Sequence, residues 1–246
     1  MDDAFFLYMI IGFGAQMIDG ALGMAYGLSA SSFLLAAGLP PATVSATVHL
    51  AETVTTGTSA AAHHRFGNID RALFRRLVIP GVIGAGVGAY TLAILPGETI
   101  KPYIAVYLLV MGLIVVFRAV RPVLRVSTVS RIGPLGFFGA LIDALGGGGW
   151  GAVVASTLLA RGNRARTTVG TVNAVEFFVT LTSSFVFLLT IGLTHWSVAL
   201  PLALGGFVAS PFAAWACSRM PQRAMLAVVG TVIIFLSCRT LVNTIL

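Results

Sequence analysis

Only eight acids occur in the 246 residues, and four of them recur at a constant spacing of 124: Asp19 with Asp143, and Glu52 with Glu176. All four lie in stretches apolar enough to read as membrane segments, where a carboxylate is costly and is kept for binding, proton transfer or capping. The glutamates sit in a duplicated polar pattern. Thr43, Thr47, His49, Glu52, Thr56 and Ser59 recur as Thr167, Thr171, Asn173, Glu176, Thr180 and Ser183. On a helix His49 and Glu52 are i,i+3 neighbours and Glu52 and Thr56 are i,i+4, so the pattern forms a stripe on one face. Such a stripe must face protein or a water-filled cavity. Burial favours the protonated carboxyl group, which makes Glu52 and Glu176 the candidates for proton coupling, against a plain polar packing seam. His49 answers to Asn173, so one duplicated position is polar without being symmetric, as expected of a single substrate met from two sides.

The aspartates open glycine-rich breaks: Asp19-Gly20-Ala21-Leu22-Gly23 in one copy, Asp143-Ala144-Leu145 and Gly146, Gly147, Gly148, Gly149 in the other. Glycine-rich backbone before a helix leaves N–H groups unpaired and presents the positive end of a helix dipole, which suits a small oxyanion. Gly23, Gly27 and Gly146–Gly149 are therefore candidate substrate contacts, with Thr47, His49, Thr171 and Asn173 completing the shell. The alternative is that the glycines only permit a tight turn and close packing. Asp19 and Asp143 fit better as caps of these tips than as proton carriers, since a carboxylate repels an anion. Tyr26 and Trp150 are matched aromatics that either line the site or pack the tip. A pair of intramembrane aspartates also raises an aspartyl protease, but neither flank has the Gly-x-Gly-Asp sequence of that class, and no enzyme is expected.

The elements that carry these residues are themselves repeated. Residues 12–59 and 136–183 align without a gap and share 18 of 48 positions. The chain is 57% hydrophobic and 9% charged, with a mean hydropathy of +0.96. That composition, with apolar runs of span length, indicates an all-α polytopic membrane protein. Apolar segments fall at about 4–18, 24–37, 42–62, 73–95, 102–118, 133–145, 150–160, 167–191, 197–217 and 224–245. They divide into a first membrane repeat (1–120), a basic linker (121–132) and a second repeat (133–246). The N-terminus lacks a basic signal region, so the first apolar run is expected to be kept. Cys217 and Cys238 show no metal-type spacing and are expected as core residues. No metal or cofactor is expected.

Charge counting sets the topology. If each broken segment is a hairpin returning to its own side, Arg65, Arg71, Arg75, Arg76, Arg118, Arg121, Arg125, Arg131, Arg161, Arg164, Arg166, Arg219 and Arg223 share one face, and Lys101 stands alone on the other. The positive-inside rule then selects hairpins over single crossings. Each half becomes a Gly-tipped hairpin plus three transmembrane helices, the halves are inverted repeats, and both termini are outside. Hairpin arms of about 14 residues reach only about 20 Å, so the tips are expected to re-enter rather than cross. The net charge of +7 is thereby a topology signal and not a nucleic-acid surface.

At these residues the chain resembles the sulfite exporter TauE/SafE family, within the toluene sulfonate uptake permease superfamily. The resemblance covers nearly the whole chain and is carried by Gly146-Gly147-Gly148-Gly149, by Gly170-Thr171 and by Gly67-Asn68-Ile69-Asp70. The first half departs from it, with Gly23-Met24-Ala25-Tyr26-Gly27 where the family more typically has a run of glycines. The resemblance implies a bacterial inner-membrane carrier of sulfite, sulfoacetate or another organosulfonate, driven by the proton gradient through alternating access. Its partners would be a small anion, protons and the bilayer, with a homodimer left open. Three rivals remain: a passive anion channel of the same architecture, a carrier of a cation or other small metabolite that the acids bind directly, and a non-transporting membrane partner or enzyme, for which no motif speaks. No nucleotide-binding loop is present.

Overall fold

The computed structural model describes residues 3–22, 24–120, 131–161, 163–192, 195–217 and 222–245. Gly23 and most of the expected linker, including Arg121 and Arg125, lie outside the described residues, as does Arg219. No strand occurs among those described. The helices are α1 (Asp3–Leu22), α2 (Tyr26–Ala36), α3 (Pro41–Arg65), α4 (Arg71–Ile94), α5 (Gly97–Val120), α6 (Ile132–Gly146), α7 (Ser156–Ala160), α8 (Ala165–Thr190), α9 (Trp196–Cys217) and α10 (Gln222–Ile245). A π-helical turn, Gly151–Ala155, leads into α7.

Local chemistry sets the boundaries. Pro41 opens α3, where its missing N–H costs nothing. Gly67, at φ 66°, turns the chain after α3. Asp70 then caps α4, its Oδ1 accepting from the N–H groups of Ala72 (2.9 Å) and Leu73 (3.1 Å). Gly147, at φ 72°, ends α6.

Among the described residues, four helices are long and apolar enough to cross a membrane: α4, α5, residues 166–190 of α8 and residues 226–244 of α10. Only 39% of the apolar window of α4 is buried, and Ile79, Ile83, Val87, Tyr90 and Ile94 project outward from it. An apolar face of that extent needs lipid around it. Where three spans per half are expected, two per half qualify on length and hydropathy among the described residues. The helix α3 is 25 residues long but too polar to qualify, because it carries the Thr/His/Glu stripe. Cys238 is exposed on α10 rather than in the core, which corrects the expectation for it.

The sequence halves interleave. Helix α1 packs along α9 of the other half, and α6 packs along α4; α3 pairs with α8, and α5 with α10. The relation is two-fold: exchanging equivalent helices of the two copies turns the first contact into the second and leaves the other two unchanged. Glycines let these helices approach. A methyl at Gly12 would overlap the Leu202 carbonyl of α9, one at Gly84 would overlap that of Phe137, and one at Gly230 would lie 2.8 Å from the Gly112 oxygen. Close approach at small residues is the means of association that a lipid environment leaves available.

Candidate functional site

The two glycine-containing tips meet where the halves interleave. A methyl at Gly27 would fall 2.6 Å from Gly148 Cα, 3.0 Å from the Gly147 oxygen and 2.9 Å from Glu52 Oε1. The first tip therefore lies directly on the second, with the Glu52 carboxyl group against the contact. Gly147, Gly148 and Gly149 all have positive φ, as does Ala25, the first-half counterpart of Gly149. Only glycine takes that conformation without strain, so the departure at Ala25 is tolerated at a conformational cost in the first tip.

Asp143 organises the second tip. Its backbone carbonyl accepts from the N–H groups of Gly147 and Gly148 (2.9 Å), and its Oδ1 accepts from Trp150 N–H (2.8 Å). Three N–H groups that the sequence offered to an anion are thus held by one aspartate. The first copy repeats the bond, with the Tyr26 N–H reaching the Asp19 carboxylate. The other carboxylate oxygen of Asp143 lies 3.0 Å from His49 Nε2 on α3, and the two residues are 2% and 0% exposed. His49 Nδ1 faces the Ser45 carbonyl at 2.7 Å. A carbonyl cannot donate, so Nδ1 carries a hydrogen, and the Nε2···Oδ2 contact then holds one shared proton. In either protonic form the pair is net neutral, which is what burial demands. Both nitrogens of His49 are engaged here, so its expected contact with substrate requires this pair to open.

Further bonds clamp the tip. Ser45 Oγ donates to the Ala144 carbonyl (2.6 Å), Tyr107 Oη to that of Gly148 (2.8 Å), and Ser31 Oγ to that of Gly147. Around them the four duplicated acids share one electrostatic neighbourhood. Glu52 interacts with Asp143, Glu176 and Asp19, and Glu176 with Asp19 and Asp143. Glu52 is 4% exposed; Gly27 N–H reaches its carboxyl group, while its Oε2 is buried without a protein partner.

Other expected contacts lie elsewhere. Thr171 Oγ1 accepts from Asp70 N–H (2.8 Å) and donates to the Thr167 carbonyl (2.6 Å), so it fastens the α3–α4 turn. Arg166 joins it there, its Nε donating to Asn68 Oδ1 (2.5 Å). Asn173 donates to Ser59 Oγ (3.1 Å) and not to Asp19, so the symmetric counterpart of the His49 contact is not made. Thr47 donates into its own helix and lines a recess of about 20 Å³ beside His195 and Trp196. Trp150 is fully buried, donating to the Val172 carbonyl (3.2 Å), and Tyr26 donates to that of Leu202 (3.3 Å); both pack the tips. Ser45, Ser31 and Tyr107 were not singled out by sequence. Ser45 had a signal, one turn before His49 on the polar stripe; Tyr107, within an aliphatic span, had little.

The glycine tip, the Gly170-Thr171 step and the Gly67–Asp70 turn are thus parts of one packed arrangement. A family model, "Sulfite exporter TauE/SafE", matches residues 8–240. The chain belongs to the TauE/SafE family. It is a membrane transporter of that type. A curated relative, the "Probable membrane transporter protein YtnM" of Bacillus subtilis (strain 168), is 42% identical over 96% of this chain and 82% of its own length. No solved structure gives a significant match.

Proposed function

We propose that this TauE/SafE transporter moves a small sulfur-containing anion, such as sulfite, sulfoacetate or another organosulfonate, across a bacterial inner membrane by proton-coupled alternating access. The observation that carries the reading is the meeting of both tips at the buried acids Glu52 and Asp143, with Asp19 and Glu176 close enough to interact with them and a carboxyl oxygen of Glu52 left without a protein partner. A buried acid beside a joint between repeats can take a proton in one arrangement and lose it in another. The second tip is latched by His49 and Asp143, while Asp19 of the first is partly exposed and has no equivalent bond from Asn173. This asymmetry supports reading the arrangement as one state of a two-state carrier. Opening the latch would free His49 for an anion, rotation of the Asp143 side chain would add the Trp150 N–H, and Glu52 would carry the coupling proton.

The test is flux in proteoliposomes with an imposed pH gradient, across a panel of sulfite, sulfate, thiosulfate, sulfoacetate and taurine. Uphill movement of an anion that a protonophore abolishes is expected. Glu52→Gln should keep downhill exchange and lose gradient-driven accumulation. Conductive flux indifferent to the protonophore would make the protein a channel, and loss of all binding in Glu52→Gln would make the acid a ligand and not a relay.

A further inference from the structure

Away from the tips, a groove of about 470 Å³ runs between α3, α4 and α8. Its mouth is formed by His64 in the last turn of α3 and by Arg71 and Arg75 in the first turns of α4, all exposed. Its walls are Phe74, Phe177 and Phe178, with Gly57, Ala60 and Ala61 as a floor of small residues. The phenyl rings form a continuous edge-to-face set, with centroids 5.8 Å apart for Phe74–Phe178 and 5.2 Å for Phe177–Phe178. Arg71 opens a membrane-spanning helix, so the basic mouth lies at the interface, and the phenyl walls lie deeper beside the hydrocarbon.

We infer that this groove binds one anionic phospholipid of the leaflet on the basic side, with its phosphate on Arg71, Arg75 and His64 and an acyl chain along Phe74, Phe177 and Phe178. The occupant must match both ends. A free inorganic anion gains nothing from phenyl walls, and a zwitterionic lipid cancels its phosphate charge with its own ammonium group, which the basic mouth repels. Asp70, the acid beside Arg71, turns its carboxylate into the α4 N-terminus. Among the described residues neither Arg71 nor Arg75 has an ion-pair partner, so both remain available to a headgroup. Two arginines at a membrane surface each favour an anionic lipid by a several-fold factor, and bidentate phosphate contacts add geometry. The small floor residues admit the chain in the way that small residues elsewhere in the molecule admit a helix.

The protein in phosphatidylcholine nanodiscs, titrated with phosphatidylglycerol, tests the inference by thermal shift and by native mass spectrometry of retained lipid. One phosphatidylglycerol should be retained and should raise the melting temperature. Arg71→Gln combined with Arg75→Gln should weaken retention by roughly ten- to thirty-fold, while Arg71→Lys with Arg75→Lys keeps most of it. Arg131→Gln, an exposed change elsewhere on the basic side, should have no effect. Phe178→Trp should be quenched by phosphatidylglycerol brominated on its acyl chain. Equal retention in the double glutamine variant overturns the site, and so does an equal thermal shift from inorganic phosphate alone. A Phe178→Trp signal indifferent to brominated lipid also overturns it.

Discussion

The pair of His49 and Asp143 joins α3 of the first half to the tip of the second through one proton. Its two members differ in what their removal leaves behind. His49→Ala strands a buried carboxylate and should cost about 3–5 kcal/mol of stability, read as a large fall in melting temperature in detergent. Asp143→Asn behaves differently. The Asn Oδ1 can still accept from Trp150 N–H, and its amide can donate to His49 Nε2, because Nδ1 already donates to the Ser45 carbonyl. The fold should therefore survive with a loss of about 1 kcal/mol or less, while the shared proton is gone. An equal and large destabilisation by both changes would mean that the contact needs the charged imidazolium–carboxylate form, which an asparagine cannot replace. The same residues show what the sequence could and could not convey. The spacing of 124 singled out Asp143, and the mismatch of His49 with Asn173 marked an asymmetric position. That His49 would meet Asp143, and not an anion, depends on how the halves interleave, and nothing local encodes it.

At the scale of elements, the apolar runs bounded by Pro40-Pro41, Gly67–Asp70 and Gly146–Gly149 were enough to place ten helical segments close to where they lie, because breaks in lipid need residues that tolerate lost helix bonds. The partners of those helices were not legible. Which face of α4 receives α6 is decided by glycines whose spacing is common to many apolar helices. The contact is specific all the same, and two neighbouring glycines of α4 separate packing from propensity. A methyl at Gly84 overlaps the Phe137 carbonyl, whereas one at Gly86 meets only Thr182 Cγ2 at 3.8 Å. Gly84→Ala should force α4 and α6 apart and destabilise by about 1–3 kcal/mol. Gly86→Ala should be neutral or stabilise by up to about 1 kcal/mol through helix propensity. Thermal melts of the two variants in one detergent check this directly; equal shifts would mean that the α4–α6 approach contributes nothing of its own.

For the whole molecule, the exchange of helices between halves bears on sidedness. Because α1 lies along α9 as α6 lies along α4, the two copies are related by a two-fold operation. An axis along the membrane normal would start both copies on the same side, and an axis in the membrane plane would start them on opposite sides. The loop charges favour the second: with hairpins that return to their own side, the arginines gather on one face and Lys101 with Glu98 on the other. This predicts that both termini are outside, with the α3–α4 turn and the loop at Arg161 inside. Single cysteines in a background lacking Cys217 and Cys238 read this out by labelling with an impermeant maleimide. Cysteines at Glu98 and near the N-terminus should react on intact cells, and cysteines at Arg71 and Arg161 only after permeabilisation. An N-terminus protected until the membrane is opened would make the repeats parallel. The two tips would then approach the Gly27–Gly148 contact from the same side, and alternating exposure of Glu52 to the two faces would need a motion other than rocking one repeat against its inverted copy.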